Sequence, residues 1–138
     1  MTTAQRLRDA GLRRTQARQV VLDLLAKVPR PLSHQEIARR KAVRELDRVT
    51  LYRTLTTLQE AGLIHRIQGV DGVWRFGAHR AEAGRCGGDH IHFLCLDCNR
   101  MTCLPEQPLP WVQAPDGAEI AGKQLLVYGR CAACRGKA

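Results

Sequence analysis

Six cysteines and five histidines hold most of the chemistry open to this chain, and their spacing divides them into two sets. The first set is four thiols. Cys95-Leu96-Asp97-Cys98 and Cys131-Ala132-Ala133-Cys134 are both Cys-x-x-Cys pairs, and two such pairs make a tetrahedral sulfur site. Zinc suits it, because four thiolates at about 2.3 Å satisfy a borderline-soft d¹⁰ ion and leave no position open, the mark of a structural rather than a catalytic site. Disulfides between the same pairs would need an oxidising compartment, and the N-terminus MTTAQRLRDAGLRR has no apolar signal core.

The second set is assembled from what remains. His90 and His92 are two apart in a strand-like run, so their imidazoles face one side. Cys86 and Cys103 are left over from the sulfur site, and His65 and His79 stand at the base and end of a hairpin pattern. Taken singly, each is more often an ordinary hydrogen-bonded His or a small buried Cys. Drawn together, they would make a second metal site bridging two halves of the chain.

A scaffold of 138 residues forms one compact unit or two small ones and is too short for a large α/β enzyme fold. With 44% hydrophobic, 25% charged and 4% aromatic residues the chain reads as globular, with mainly aliphatic cores. No apolar run approaches the roughly 20 residues of a membrane span, so a soluble, cytoplasmic protein without membrane contact is expected. Charge is uneven. Residues 1–80 hold 16 Lys/Arg against 7 Asp/Glu, whereas residues 81–138 hold 6 of each. A basic first half seeks a polyanion, nucleic acid before an anionic membrane surface.

That basic half reads as helices followed by a hairpin. Ala17, Val20, Val21, Leu24, Leu25 and Val28 form one apolar helical stripe, stopped by Pro29 and Pro31. Ser33 and Glu36 make a capping box for a third helix, and Asp47 caps a fourth, whose buried stripe is Leu51, Leu55 and Leu58 and whose stop is Gly62. Arg48, Tyr52, Arg53 and Thr56 then face away from the leucines. Residues 63–67 and 73–76 flank an Asp-Gly turn as two strands. Helices followed by such a hairpin make a winged helix, in which the fourth helix enters the major groove of duplex DNA. In the neutral half, strands at 100–104 and 124–129 accommodate the long excursion between the Cys pairs. Residues 105–115 contain four prolines and cannot form a regular helix; Trp111 is expected there as an apolar plug. So small a unit buries little, so its metal supplies folding free energy directly.

The chain resembles the ferric uptake regulator (Fur) family of bacterial metal-responsive repressors. The likeness rests on Arg14-Thr15-x-x-Arg18 opening the long helix, on Asp47-Arg48-Val49-Thr50-Leu51-Tyr52-Arg53-Thr54-Leu55, and on the two Cys pairs with His-x-His. It implies an α+β fold, an N-terminal winged-helix DNA-binding domain with a small, mainly β, zinc-stapled C-terminal dimerisation domain. It further implies a homodimer on inverted-repeat operator DNA, contacted through Arg14, Thr15, Arg18, Arg48, Thr50, Tyr52 and Arg53. Where iron-sensing members place glutamates, Gly77 and Cys103 stand here, and Lys123 replaces an accessory histidine. The zinc uptake regulator (Zur) branch is the better match. Its sensing site maps onto His65, His79, His90 or His92, and Cys103, with Cys86 a further candidate, and a nitrogen and sulfur set favours zinc over iron(II) or manganese(II).

The expectation is therefore a zinc-responsive repressor. The DNA-binding domain spans 1–78, a hinge 79–89, and the dimerisation and metal-binding domain 90–138. The alternatives are an iron- or peroxide-responsive regulator of the same family, or a zinc-buffering or redox protein. No enzyme is expected, since the zinc deaminase motif needs His-x-Glu before its Cys pair and His90-Ile91-His92 has no glutamate.

Overall fold

The computed structural model describes residues 2–78 and 90–136. Helix α1 (Thr3–Asp9) starts at a capping box, in which the Thr2 hydroxyl accepts from the Gln5 amide. Helix α2 (Gln16–Lys27) is capped by Thr15 and buries Val21, Leu22 and Leu25. Its buried face is thus centred one position from the expected stripe, because Leu22 turns inward while Val20 and Leu24 are only half-buried. A short strand β1 (Leu32–Ser33) leads into α3 (His34–Ala38) through the Ser33–Glu36 capping box. A 3₁₀ turn at Lys41–Val43 follows. Asp47 then accepts from the Thr50 amide to cap α4 (Arg48–Glu60), which buries Leu51, Thr54, Leu55 and Leu58. Gly62, at φ 76°, ends that helix in the left-handed region that favours glycine.

Strands β2 (Ile64–Gln68) and β3 (Trp74–Ala78) form the hairpin, joined by the Asp71-Gly72 turn. The sequence pattern did not show that β1 pairs with β3 as well, so that β3 is the middle strand of a β1-β3-β2 sheet. This sheet and the helices share one aliphatic core that runs from Leu7 to Ala78.

The second sheet has the order β5-β4-β6. β4 (Ile91–Cys95) pairs antiparallel with β5 (Met101–Leu104) and parallel with β6 (Leu125–Gly129). The parallel pairing accounts for the length of segment 105–124, which must carry the chain back along the sheet. No helix forms in that segment, and Trp111 there is 79% exposed rather than buried as a plug. Four prolines keep residues 105–115 out of regular helix and strand. A final turn, α5 (Ala132–Arg135), carries the last two cysteines at its cap and within it. The sheets meet where Ile67 of β2 packs on Leu94 and Met101. Among the described residues no helix is long and apolar enough to cross a membrane.

Candidate metal centres and nucleic-acid face

Cys95 lies at the end of β4, Cys98 in the following turn, Cys131 at the N-cap of α5 and Cys134 inside it. Their four sulfurs all lie within 4.8 Å of one another, and Cys98 Sγ is 3.9 Å from Cys131 Sγ. A zinc tetrahedron with bonds of about 2.3 Å has edges of about 3.8 Å, so the thiols fit that ion. The surrounding dipoles fit it too. The Cys98 and Cys131 amides point at Cys95 Sγ from 3.5 and 3.4 Å, and these hydrogen bonds pull its pKa down to about 6. Cys134 is pushed up to about 12 by its hydrogen bond with Cys131, by burial, and by the other two thiols. Arg130 spans both turns, with Nε 2.5 Å from Asp97 and Nη2 3.1 Å from the Cys134 carbonyl oxygen.

The second cluster joins His90, His92 and Cys103, whose ligand atoms also lie within 4.8 Å of one another. Strand register does this. His92 faces Cys103 across the β4–β5 pair, and His90 lies two residues before His92 on the same face, with the ring centroids 4.5 Å apart. Both histidines are buried, His92 to 2% exposure, and Cys103 is half-buried. His90 Nε2 is buried without a hydrogen-bond partner among the described residues, a polar atom of the kind that an ion or a further ligand would satisfy. The two imidazoles and one thiol fit a borderline-soft cation. His65 is half-buried on β2, opposite Gly77, and is not part of this cluster. His79 and Cys86 lie outside the described residues.

In the helical half, α3, α4 and the hairpin line an open groove of about 1080 Å³. Arg48, Tyr52 and Arg53 line it from α4, with Arg39 from the C-cap of α3 and Arg66 and Trp74 from the hairpin. Tyr52 is 65% exposed, and its ring is 6.5 Å from that of His34. Thr50 is half-buried and lies outside the groove lining, its amide held by Asp47 and its carbonyl oxygen by the Thr54 hydroxyl. Arg14 and Thr15 border a separate depression at the start of α2. There Thr15 caps the helix by accepting from the Arg18 amide, Arg14 donates to Gln19, and Arg18 donates to the Arg13 carbonyl oxygen.

Sequence reasoning overlooked Arg66 and Trp74. The Arg66 guanidinium lies 4.2 Å from the centroid of the Trp74 ring, a stacked cation held on the hairpin face. Period-two alternation would have revealed the pair, since Arg66 faces Phe76 and Trp74 is its diagonal neighbour.

Comparison with known proteins bears out the family resemblance. The model of the ferric uptake regulator family matches residues 9–116. This chain belongs to the ferric uptake regulator family. Members of this family are metal-responsive transcription regulators. The ferric uptake regulation protein of Neisseria gonorrhoeae is 28% identical over 145 aligned positions, covering 95% of this chain and 92% of that protein. In fold, the chain is similar to the ferric uptake regulator of Vibrio cholerae, with a TM-score of 0.69 at 23% identity over 93% of this chain and 98% of that one. It is equally similar to a zinc-bound manganese uptake regulator, with a TM-score of 0.69 at 21% identity over 95% and 99%. Within the ferric uptake regulator fold, α1 to α4 and the hairpin of this chain form the N-terminal winged-helix part, and β4 to α5 form the C-terminal part.

Proposed function

We propose that this family member is a zinc-responsive repressor that binds inverted-repeat operator DNA as a homodimer. The observation that carries the reading is the convergence of His90, His92 and Cys103 on the sheet that packs against the hairpin. Two imidazoles and a thiol form a softer set than the carboxylate-rich sites of iron(II) or manganese(II). In this reading Cys95, Cys98, Cys131 and Cys134 hold a structural zinc ion. His90, His92 and Cys103 hold the regulatory one, and His65, His79 and Cys86 are the candidates to complete its coordination. When bound, the regulatory ion supplies a cross-link at the junction of a reading unit, residues 1–78, with a dimerising unit, residues 90–138, joined through 79–89.

Arg48, Tyr52 and Arg53 on α4 reach base edges and phosphates, Arg66 lies along the backbone from the wing, and Arg14, Thr15 and Arg18 approach a neighbouring phosphate run. Dimerisation is supported by β6, an edge strand with Leu125, Val127 and Tyr128 all exposed, since bare edges invite pairing with a second chain. Cytoplasmic residence follows from the target.

Metal acts as an allosteric ligand only if it binds the DNA-competent state more tightly, and a coupling of about 3 kcal/mol gives about a hundredfold change in operator affinity. The test selects an operator from a random duplex library with zinc-loaded protein. Affinity is then measured at one salt concentration for protein treated with a mild chelator, which keeps the four-thiolate ion, and for reloaded protein. Equal affinity for both samples overturns the reading. An iron- or manganese-responsive regulator is the second reading, and a Cys103→Ser protein that exchanges zinc preference for iron(II) or manganese(II) identifies the thiol as the selecting ligand.

A further inference from the structure

We infer that Arg75 is a positioning residue that latches the hairpin wing to the first cysteine turn, so that order in the four-thiolate centre is passed to the DNA-reading face. The inference builds on the function proposed above, and it assigns to the structural cysteines a part in reading DNA.

Arg75 lies within β3 at 1% exposure. A guanidinium stays charged at any physiological pH, and a buried one is tolerated only with charged and carbonyl partners. Three of its bonds stay within the hairpin: Nη2 lies 2.9 Å from Asp71 Oδ2, and Nη1 lies 3.2 Å from Asp71 Oδ1 and 3.3 Å from the Val73 carbonyl oxygen. The fourth leaves it. Nη2 also donates to the Asn99 carbonyl oxygen at 3.0 Å, 24 positions along the chain.

Asn99 directly follows Cys98, and its position is set by the cysteine turn. It has φ 63°, in the left-handed region that Asn tolerates. Its amide donates to the Cys95 carbonyl oxygen at 2.9 Å, and the Cys95 amide donates to the Arg100 carbonyl oxygen at 3.0 Å. The direction of the Asn99 carbonyl therefore depends on the turn between Cys95 and Cys98. The space around the latch is built for it. A Cβ at Gly69 would stand 2.5 Å from both Arg75 Nη1 and an Asp71 carboxylate oxygen, and 3.1 Å from Leu94. A role confined to the hairpin would need Asp71 alone, whereas the bond to Asn99 joins two sheets beside the apolar contact of Ile67 with Leu94, Met101 and Leu126.

The experiment uses the full chain without DNA, so that failure to find an operator leaves this result readable and the reverse also holds. Hydrogen exchange of the amides of residues 64–78 is followed in zinc-loaded protein, after a mild chelator, and after a strong chelator that empties the four-thiolate centre. In the unaltered protein, wing exchange is expected to accelerate about tenfold or more at the last step. Arg75→Leu keeps the apolar contact and removes the latch. Arg75→Lys keeps the charge but cannot reach Asp71 and Asn99 together, and it serves if the leucine variant fails to fold. Both variants should retain zinc at the four thiols, show fast wing exchange from the start, and respond little to stripping. The inference is overturned if the unaltered wing ignores the strong chelator. It is equally overturned if the wing of either variant is protected and zinc-responsive like the original, which would assign the coupling to the Ile67 contact.

Discussion

Cys98 and Cys131 place their sulfurs 3.9 Å apart although 33 positions separate them in the chain. Closing so long a loop by thiol packing alone is unfavourable, and binding free energies for zinc in small four-ligand sites, about 10–16 kcal/mol, match or exceed the whole stability of a typical domain. Cys98→Ser is therefore expected to lower the zinc content by one ion per chain and to unfold residues 90–136. Atomic emission and circular dichroism check this; a variant with full zinc content and an unchanged melting curve would refute it.

Loading that centre should release protons. At pH 7.5 Cys95, with its pKa drawn down to about 6, is already a thiolate, while Cys134, pushed up to about 12, is still a thiol. Zinc uptake must displace the Cys134 proton, so apparent affinity falls as the solution is acidified and falls more steeply below about pH 6, where Cys95 also takes up a proton. An indicator dye in weak buffer reads the release, and a proton-neutral uptake would contradict the assignment.

Arg53 of α4 and Arg66 of β2 line one groove, and their loss should be felt differently. Arg53→Ala is expected to weaken discrimination among operator variants by about 1–3 kcal/mol per base pair read. Arg66→Ala should weaken binding to all duplexes alike and reduce the salt slope by about one. Anisotropy titrations over a salt series distinguish them, and identical profiles for the two variants would remove the distinction between reader and clamp.

Acid should loosen the wing. The hydrogen bond from Arg75, with help from the Val73 amide, outweighs burial and holds the Asp71 carboxyl below its ordinary 3.8. A depressed carboxyl contributes its full stabilisation above the ordinary value and loses it as pH falls through the lower, folded value. Wing protection should thus be level above about pH 5 and decline below about pH 4, and Asp71→Asn should flatten the profile. Hydrogen exchange over a pH series, corrected for intrinsic rates, reads both curves; an Asp71→Asn profile that still declines with acid would place the titrating group elsewhere.

Local signals in the sequence sufficed wherever a residue's role depends on its neighbours in the chain. The caps at Ser33 and Asp47, the leucine stripe of α4, the Asp-Gly turn and the one-sided placement of His90 with His92 all follow from spacing within a few residues. What escaped depends on contacts between distant segments. β1 is two residues long and exists only because β3 lies beside it. Arg75 reads as one more basic strand residue until Asn99 arrives 24 positions later. Trp111 shows the opposite error, since bulk and hydrophobicity suggested burial, but its ring stands exposed among the described residues.

The central position of β3 has a mechanical consequence. One edge of that strand carries β2, and the other carries Leu32 and Ser33, whose hydroxyl starts α3. The hairpin is thereby tied through one strand to the first turn of α3, which packs against α4. In the homodimer proposed above, the tip and that helix would then tilt together, and a small rotation at the junction of the sheets would change the spacing of two half-sites at once.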